Sequence, residues 1–206
     1  MRPVQITVGS LAANTSLFAT AQLTVANTSM SVTGTALTYA GGITLTSTGV
    51  ITGLTFTING TDADGHLQQE LLVGPNNNTV TGVKFFKTVT SLTATAVSAA
   101  TVSAGNSTLT ASPTFIPDYI NSVASMGYGF VGTATATYKL QHTYDDVFDG
   151  TSAGSSAKTW FDHATVTGKT LAFNYSMTNA VRGSRIALTA WTTGTVTGTL
   201  VQGLEK

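Results

Sequence analysis

Apolar and polar residues alternate at every second position along much of this chain, and threonine holds many of the polar places. Thr133, Thr135 and Thr137 interleave with Ala134, Ala136 and Tyr138, and Thr44 and Thr46 with Ile43 and Leu45. A strand with one buried face needs this period of two, because successive side chains leave the pleat on opposite sides and β-branched Thr tolerates the wetted side. No stretch of 12 residues carries helical spacing. The pattern predicts an all-β chain. In the first half the candidate strands are Gln22–Val25, Ser31–Leu37, Gly42–Thr46, Leu54–Asn59, His66–Val73, Lys84–Leu92 and Val97–Val102. In the second half they are Gly127–Gly132, Thr133–Tyr144, Lys169–Tyr175, Arg185–Trp191 and Thr195–Gln202, with Tyr138, Leu140, His142 and Tyr144 on one face.

Turn residues divide these runs at the intervals of an antiparallel sandwich. Asp64-Gly65 predicts a hairpin with a type I′ turn, and Gly74-Pro75-Asn76-Asn77-Asn78 predicts a surface loop. Around Ala111-Ser112-Pro113-Thr114-Phe115-Ile116-Pro117 the alternation lapses, which marks a domain boundary. The expected architecture is two antiparallel β-sandwich modules, jelly-roll or Ig-like, with an extended N-terminal segment. Residues 1–40 form that arm and the first strands, 41–112 the first module and 113–206 the second. The arm has few large apolar residues and would be ordered mainly by contact.

Composition narrows the function classes. Nine basic residues balance nine acidic ones, charged residues make up only 9% of the 206, and no basic run offers a surface for phosphate. No nucleic-acid partner is expected. The apolar residues never form the stretch of about 20 that a membrane helix requires, so no membrane partner is expected either. Cysteine is absent, which removes disulfides, thiolate nucleophiles and Cys-type zinc sites. The opening Met1-Arg2-Pro3-Val4-Gln5-Ile6-Thr7 lacks a secretory h-region, so synthesis in the cytoplasm is expected. With few ions, the outward faces are clad in hydroxyls, a surface suited to lying against other protein.

Candidate chemistry is sparse. Asp62-Ala63-Asp64-Gly65 opens like a calcium loop but lacks the later ligands and the closing Glu, so it reads first as a turn. His142, Asp145, Asp146, Asp149, Asp162 and His163 could meet at one end of the second sandwich and hold a divalent ion. The competing reading, and the favoured one, has these aspartates capping turns through backbone N–H groups, with no metal and no cofactor. No Gly-x-Ser-x-Gly elbow is present, and no enzyme is expected. Tyr128, Phe130, Trp160, Phe161 and Trp191 could form a sugar-stacking platform or serve as core and interface anchors. Phe85 and Phe86 face opposite ways in a strand, so one enters the core and the other is covered by a second layer or a partner.

Four stretches of the second half carry a resemblance: Tyr138-Lys139-Leu140-Gln141-His142-Thr143-Tyr144-Asp145-Asp146, Trp160-Phe161-Asp162-His163, Arg185-Ile186-Ala187-Leu188-Thr189, and the run from Thr195 to Gly203. Their order resembles the carboxy-terminal module of small tailed-bacteriophage virion proteins. Upstream, Leu45–Thr61, Asp62-Ala63-Asp64-Gly65, Gly74-Pro75-Asn76 and the run from Phe85 to Leu92 are similar to the β-rich part that commonly precedes it. The resemblance implies a structural component of the particle, a head decoration or cement protein, and brings no catalytic residues. The expected partners are a major capsid protein and further copies of the chain, as dimer or trimer, in the phage head. The alternatives are a receptor- or carbohydrate-binding module of a fibre or spike, and a head-to-tail joining or tail-tube component.

Overall fold

The computed structural model of the chain describes residues 3–22, 29–30, 32, 36–98, 100–117, 126–132, 136–148, 158–170 and 172–203. The fold is all-β and antiparallel, with no helix among the described residues. In chain order the strands are β1 (Val4–Gly9), β2 (Asn14–Gln22), β3 (Ser29–Met30), β4 (Ala40–Ser47), β5 (Thr55–Thr61), β6 (Leu67–Val73), β7 (Thr79–Phe86) and β8 (Thr88–Ala94). They continue as β9 (Thr101–Ala111), β10 (Met126–Gly132), β11 (Ala136–Thr143), β12 (Phe161–Asp162), β13 (Phe173–Met177), β14 (Gly183–Trp191) and β15 (Thr195–Gln202). Two compact units result. One is built from Leu11–Thr108, and the other from Met1–Ser10, Leu109–Asp149 and Lys158–Lys206. The division falls between Thr108 and Leu109, inside β9, and the expected N-terminal arm is not a single segment: β1 belongs to one unit and β2 to the other.

In the unit built from Leu11–Thr108, one sheet has the order β3-β8-β5-β6, and in the other β4 lies between β9 and β7 while β2 pairs with β9. Alternation along β5 buries Phe56 and Ile58 and turns Thr55, Thr57 and Asn59 outward. Phe18, Met30, Ile43, Leu45, Phe86, Leu92 and Val102 complete the core. The hairpin between β5 and β6 stands where Asp64-Gly65 places it, but its turn is longer than the two-residue type I′. Gly65 N–H donates to the Asp62 carbonyl at 3.2 Å and Gly65 takes a φ of 86°, the pattern of a type I turn closed by a left-handed residue. Asp62 Oδ1 accepts the N–H groups of Asp64 and His66, each at 2.9 Å.

The run Lys84–Leu92, expected as one strand, is two strands in different sheets joined at Lys87. Lys87 N–H donates to the Thr61 carbonyl at 2.7 Å, its carbonyl accepts Leu37 N–H at 2.8 Å, and its Nζ donates to the Thr38 carbonyl at 2.8 Å. These bonds satisfy the backbone where the chain leaves one ladder for the other, which is how strands turn sandwich corners. Phe86 is thereby fully buried while Phe85 stays half-buried. The crossing is tight. A Cβ on Gly60 would lie 1.9 Å from the Thr88 carbonyl oxygen, so only glycine fits there.

A second device joins the two sheets at β6 and β7. The β4–β7 register shifts between Gly42↔Phe85 and Thr44↔Thr81, so β7 bulges through Gly82, Val83 and Lys84. The Glu70 carboxylate on β6 caps that bulge: Oε1 accepts Val83 N–H at 2.7 Å and Lys84 N–H at 3.2 Å. Lys84 Nζ returns a bond to the Gln69 carbonyl at 2.6 Å, and Gln68 Nε2 donates to the Phe85 carbonyl at 2.9 Å. Burial pushes the Glu70 carboxyl above its ordinary value, against the two amide bonds and the charge of Lys84.

In the other unit, one sheet runs β1-β15-β10-β13 and the other brings β12, β11 and β14 together, with Ala187 of β14 paired to Ala111. Phe115, Tyr128, Phe130, Tyr138, Leu140, Ile186, Val196 and Leu200 fill the space between them. Tyr128 and Phe130, candidates for core or interface anchors, are core residues: each is 2% exposed, with rings stacked 6.1 Å apart. The Tyr128 hydroxyl bonds Ser184 Oγ at 2.9 Å across the core, and burial pushes its pKa up to about 12. The strand expected over Thr133–Tyr144 is observed as β11; residues 133–135 lie outside the described residues.

The Glu70 cap generates a prediction with a worked sign. A carboxyl whose folded-state pKa is raised stabilises the fold fully below its ordinary value of 4.5 and loses that contribution as pH rises through the folded value. Glu70→Gln retains an oxygen acceptor and removes the buried charge. Thermal melting should show the wild type losing ground to Glu70→Gln as pH rises, with a constant difference between them counting against the assignment. Glu70→Ala should cost about 2 kcal/mol in urea unfolding, because two amides lose their acceptor. Gly82→Ala should cost about 1–3 kcal/mol, because its Cβ would lie 2.2 Å from Glu70 Oε2.

Candidate functional site

Pairing of β11 with the short β12 sets His142 opposite Phe161 and Gln141 opposite Asp162. The chain then turns so that His163 N–H donates to the Leu140 carbonyl at 2.9 Å, which fixes His163 beside His142. The two imidazoles lie 6.1 Å apart, centre to centre. His142 stacks on Phe161 at 5.8 Å and meets Tyr144 edge-on at 5.5 Å, while His163 packs against Tyr175 at 4.5 Å. These groups border a recess of about 240 Å³ walled by His142, Tyr144, Asp162, His163, Asn179 and Val181. Tyr144 is 53% exposed and Phe161 46%.

The recess is electrically quiet. Burial lowers the His142 pKa, with His163 adding to the effect, and burial lowers the His163 pKa as well, which favours the neutral form of both imidazoles. His163 Nδ1 accepts Thr165 N–H at 3.2 Å, which leaves the proton of the neutral ring on Nε2. His142 Nδ1 is buried without a hydrogen-bond partner. Burial would raise the Asp162 carboxyl, but bonds from Lys139 Nζ at 2.8 Å and Gln141 Nε2 at 2.7 Å, with the charges of Lys139 and Arg185, hold it below its usual range. Arg185 Nε donates to Gln141 Oε1 at 2.8 Å and its guanidinium lies 4.1 Å from the centre of the Trp160 ring.

Of the anticipated metal ligands, the structure brings His142, His163 and Asp162 to one recess and turns the carboxylates of Asp145 and Asp146 to backbone N–H groups. Asp146 Oδ1 accepts Phe148 N–H at 3.0 Å as a local turn cap, whereas Asp145 Oδ2 accepts the N–H of Thr159, 14 residues further along the chain. Asp149 lies outside the described residues. Among the described residues, the acidic and imidazole groups whose ligand atoms fall within 4.8 Å of one another are Asp62, Asp64 and His66 in the β5–β6 turn. There Asp62 Oδ1 already serves two amides. Trp160 is half-buried under Arg185, and Trp191 is half-buried with Nε1 donating to the Gly194 carbonyl at 2.9 Å. Tyr175, Asn179 and Val181 were not anticipated, because they reach the recess from β13 and the segment after it.

The same unit presents a second surface. On the outer face of the sheet β1-β15-β10-β13, register and alternation place Gln5 and Thr7, then Thr197, Thr199 and Val201, then Gly127, Gly129 and Val131, then Asn174 and Ser176. None of these is charged. Thr7 and Thr197 share a hydroxyl bond of 2.9 Å, and Gln5 Nε2 donates to Thr199 Oγ1 at 3.3 Å. Val131 and Val201 are 58% and 46% exposed beside the glycines.

The two depressed histidines contribute stability that is present above the ordinary value of 6.5 and lost as pH falls through their lower folded-state values. Melting temperature between about pH 7.5 and 5.5 should therefore fall more in the wild type than in a His142→Gln/His163→Gln double variant. Parallel curves would remove the pair from the acid sensitivity. Comparison of the sequence with protein-family models and with curated proteins gives no match, so a functional reading rests on the residues and surfaces described above.

Proposed function

We propose that this protein is a non-enzymatic structural component of a tailed-bacteriophage virion that decorates or cements the capsid lattice. The observation that carries the reading is the uncharged outer face of the β1-β15-β10-β13 sheet, where Thr, Gln, Asn, Gly and Val stand at the outward positions. Burying an ion against a partner costs several kcal/mol unless it is paired, and this face carries none to bury. Its cross-strand hydroxyl bonds already satisfy part of its polar surface, and Val131 and Val201 add apolar area that a partner would cover. The likeness of the second half to virion modules supports the same assignment.

In this reading the partner is the major capsid protein, and the protein acts in the phage head after synthesis in the host cytoplasm. Each copy bridges neighbouring capsid subunits, and many moderate interfaces sum over the lattice. Assembly as a dimer or trimer matches the symmetry axes of a shell.

Cryo-electron microscopy of the intact particle tests the proposal, with density for this chain expected on the capsid surface. Density confined to the tail, or absence from the virion, would overturn it. A Thr197→Lys/Thr199→Lys variant should stay folded, with stability lowered by no more than about 2 kcal/mol for the two lost cross-strand bonds, and lose capsid binding in a sedimentation assay, because it places two ammonium groups on the contact face.

A further inference from the structure

The His142–His163 recess has no place in capsid attachment as argued above, yet it is built as a site. The exposed ring of Tyr144 stands in its wall with that of Phe161 6.0 Å away, and His142, His163 and Asn179 offer hydrogen-bonding groups beside the Asp162 carboxylate. The volume of about 240 Å³ lies below the roughly 300–1,000 Å³ of sites for drug-sized ligands, so the occupant is small.

The chemistry of the wall selects among small ligands. A metal ion fits poorly, because the hydrogen bond from Thr165 leaves the His163 proton on Nε2 and makes that nitrogen a donor. An anion finds no free cation: Lys139 is committed to Asp162, and the guanidinium of Arg185 to Gln141 and the Trp160 ring. A cation finds the Asp162 carboxylate already bonded at both oxygens. A hydroxyl fits well. The imidazoles of His142 and His163 and the Asn179 amide line the recess and can serve the hydroxyls of a ligand as donors or acceptors. Beside these groups, Tyr144 and Phe161 offer ring faces to an apolar C–H surface.

We propose that the recess binds one neutral sugar ring of a glycan, with Tyr144 and Phe161 packing on its C–H face and His142, His163 and Asn179 bonding its hydroxyls. This inference does not depend on attachment to a capsid. A particle bearing such sites in many copies would adhere to glycan-coated surfaces through avidity, even where each site is weak.

Saturation-transfer NMR on the full chain, with the methyl glycosides of glucose, galactose, mannose, N-acetylglucosamine and N-acetylgalactosamine as probes, tests it. At least one glycoside should receive saturation through its ring C–H protons. Tyr144→Ala and Phe161→Ala, both at exposed rim positions, should each weaken that binding by up to about tenfold while melting is retained. The Thr197→Lys/Thr199→Lys variant should bind the glycoside as the wild type does, which separates this site from the sheet face. Silence with all five glycosides would overturn the proposal. So would binding that survives the double Tyr144→Ala/Phe161→Ala change, or a response confined to sialic acid or sugar phosphates.

Discussion

In each sheet of this protein the backbone pleat assigns alternate residues to a core or to an outer face, and a scarcity of ionic side chains leaves that outer face to hydroxyls, amides and glycine. This constraint governs the rest. A hydroxyl has a short reach, so Thr7 bonds Thr197, Thr46 bonds Thr79 and Thr61 bonds Thr88 directly across neighbouring strands. Such cross-strand pairs add roughly 0.2–1 kcal/mol each and hold the register that keeps the apolar set inside. On the β1-β15-β10-β13 sheet this leaves an outer face without charge.

Charge, where it does occur in the interior, is spent on the backbone. Glu70 serves the two amides that the β7 bulge frees, and Gly82 is required because a Cβ there would meet the carboxylate. Lys87 secures a sheet-to-sheet corner through its main chain and its ammonium. Asp62 and Asp146 cap turns, and Asp145 holds the backbone of Thr159, 14 residues on. In each case the ion answers a backbone group that departure from regular pairing would otherwise leave unsatisfied.

Much of this was legible in the sequence, because period-two alternation is a local signal. The strand over Thr195–Gln202 and the hairpin at Asp64-Gly65 were readable from their own residues, and the hairpin's extra loop residue follows from Gly65 taking a left-handed φ. What was not legible depends on distant chain. Val4–Gly9 alternates, with Val4, Ile6 and Val8 against Gln5 and Thr7, but nothing local shows its partner, which is β15 at the far end of the sequence. The Lys84–Leu92 run looks continuous, and only contacts from Leu37, Thr38 and Thr61 show that it must change sheets at Lys87. Tyr128 and Phe130 share an alternating strand with glycines, which left open whether their faces were inside; the register with Leu200 and Gly198 puts them there. The recess was half legible. His142 and His163 were candidates from their residue types, but Tyr175 and Asn179 come from beyond a different strand and carry no sequence mark of the meeting.

The two surfaces proposed for interaction follow from one property by different routes. The β1-β15-β10-β13 face is neutral because no ionisable residue was placed at its outward positions. In the recess, burial biases His142 and His163 toward their neutral forms, and the Asp162 carboxylate is matched by Lys139 and Arg185. A broad face without ions gains from covered area and gives little preference among neutral partners. A small recess whose wall holds imidazoles, an amide and a carboxylate penalises any occupant that strips water from those groups without bonding them. The first kind of surface therefore supplies adhesion in bulk, and the second supplies selection.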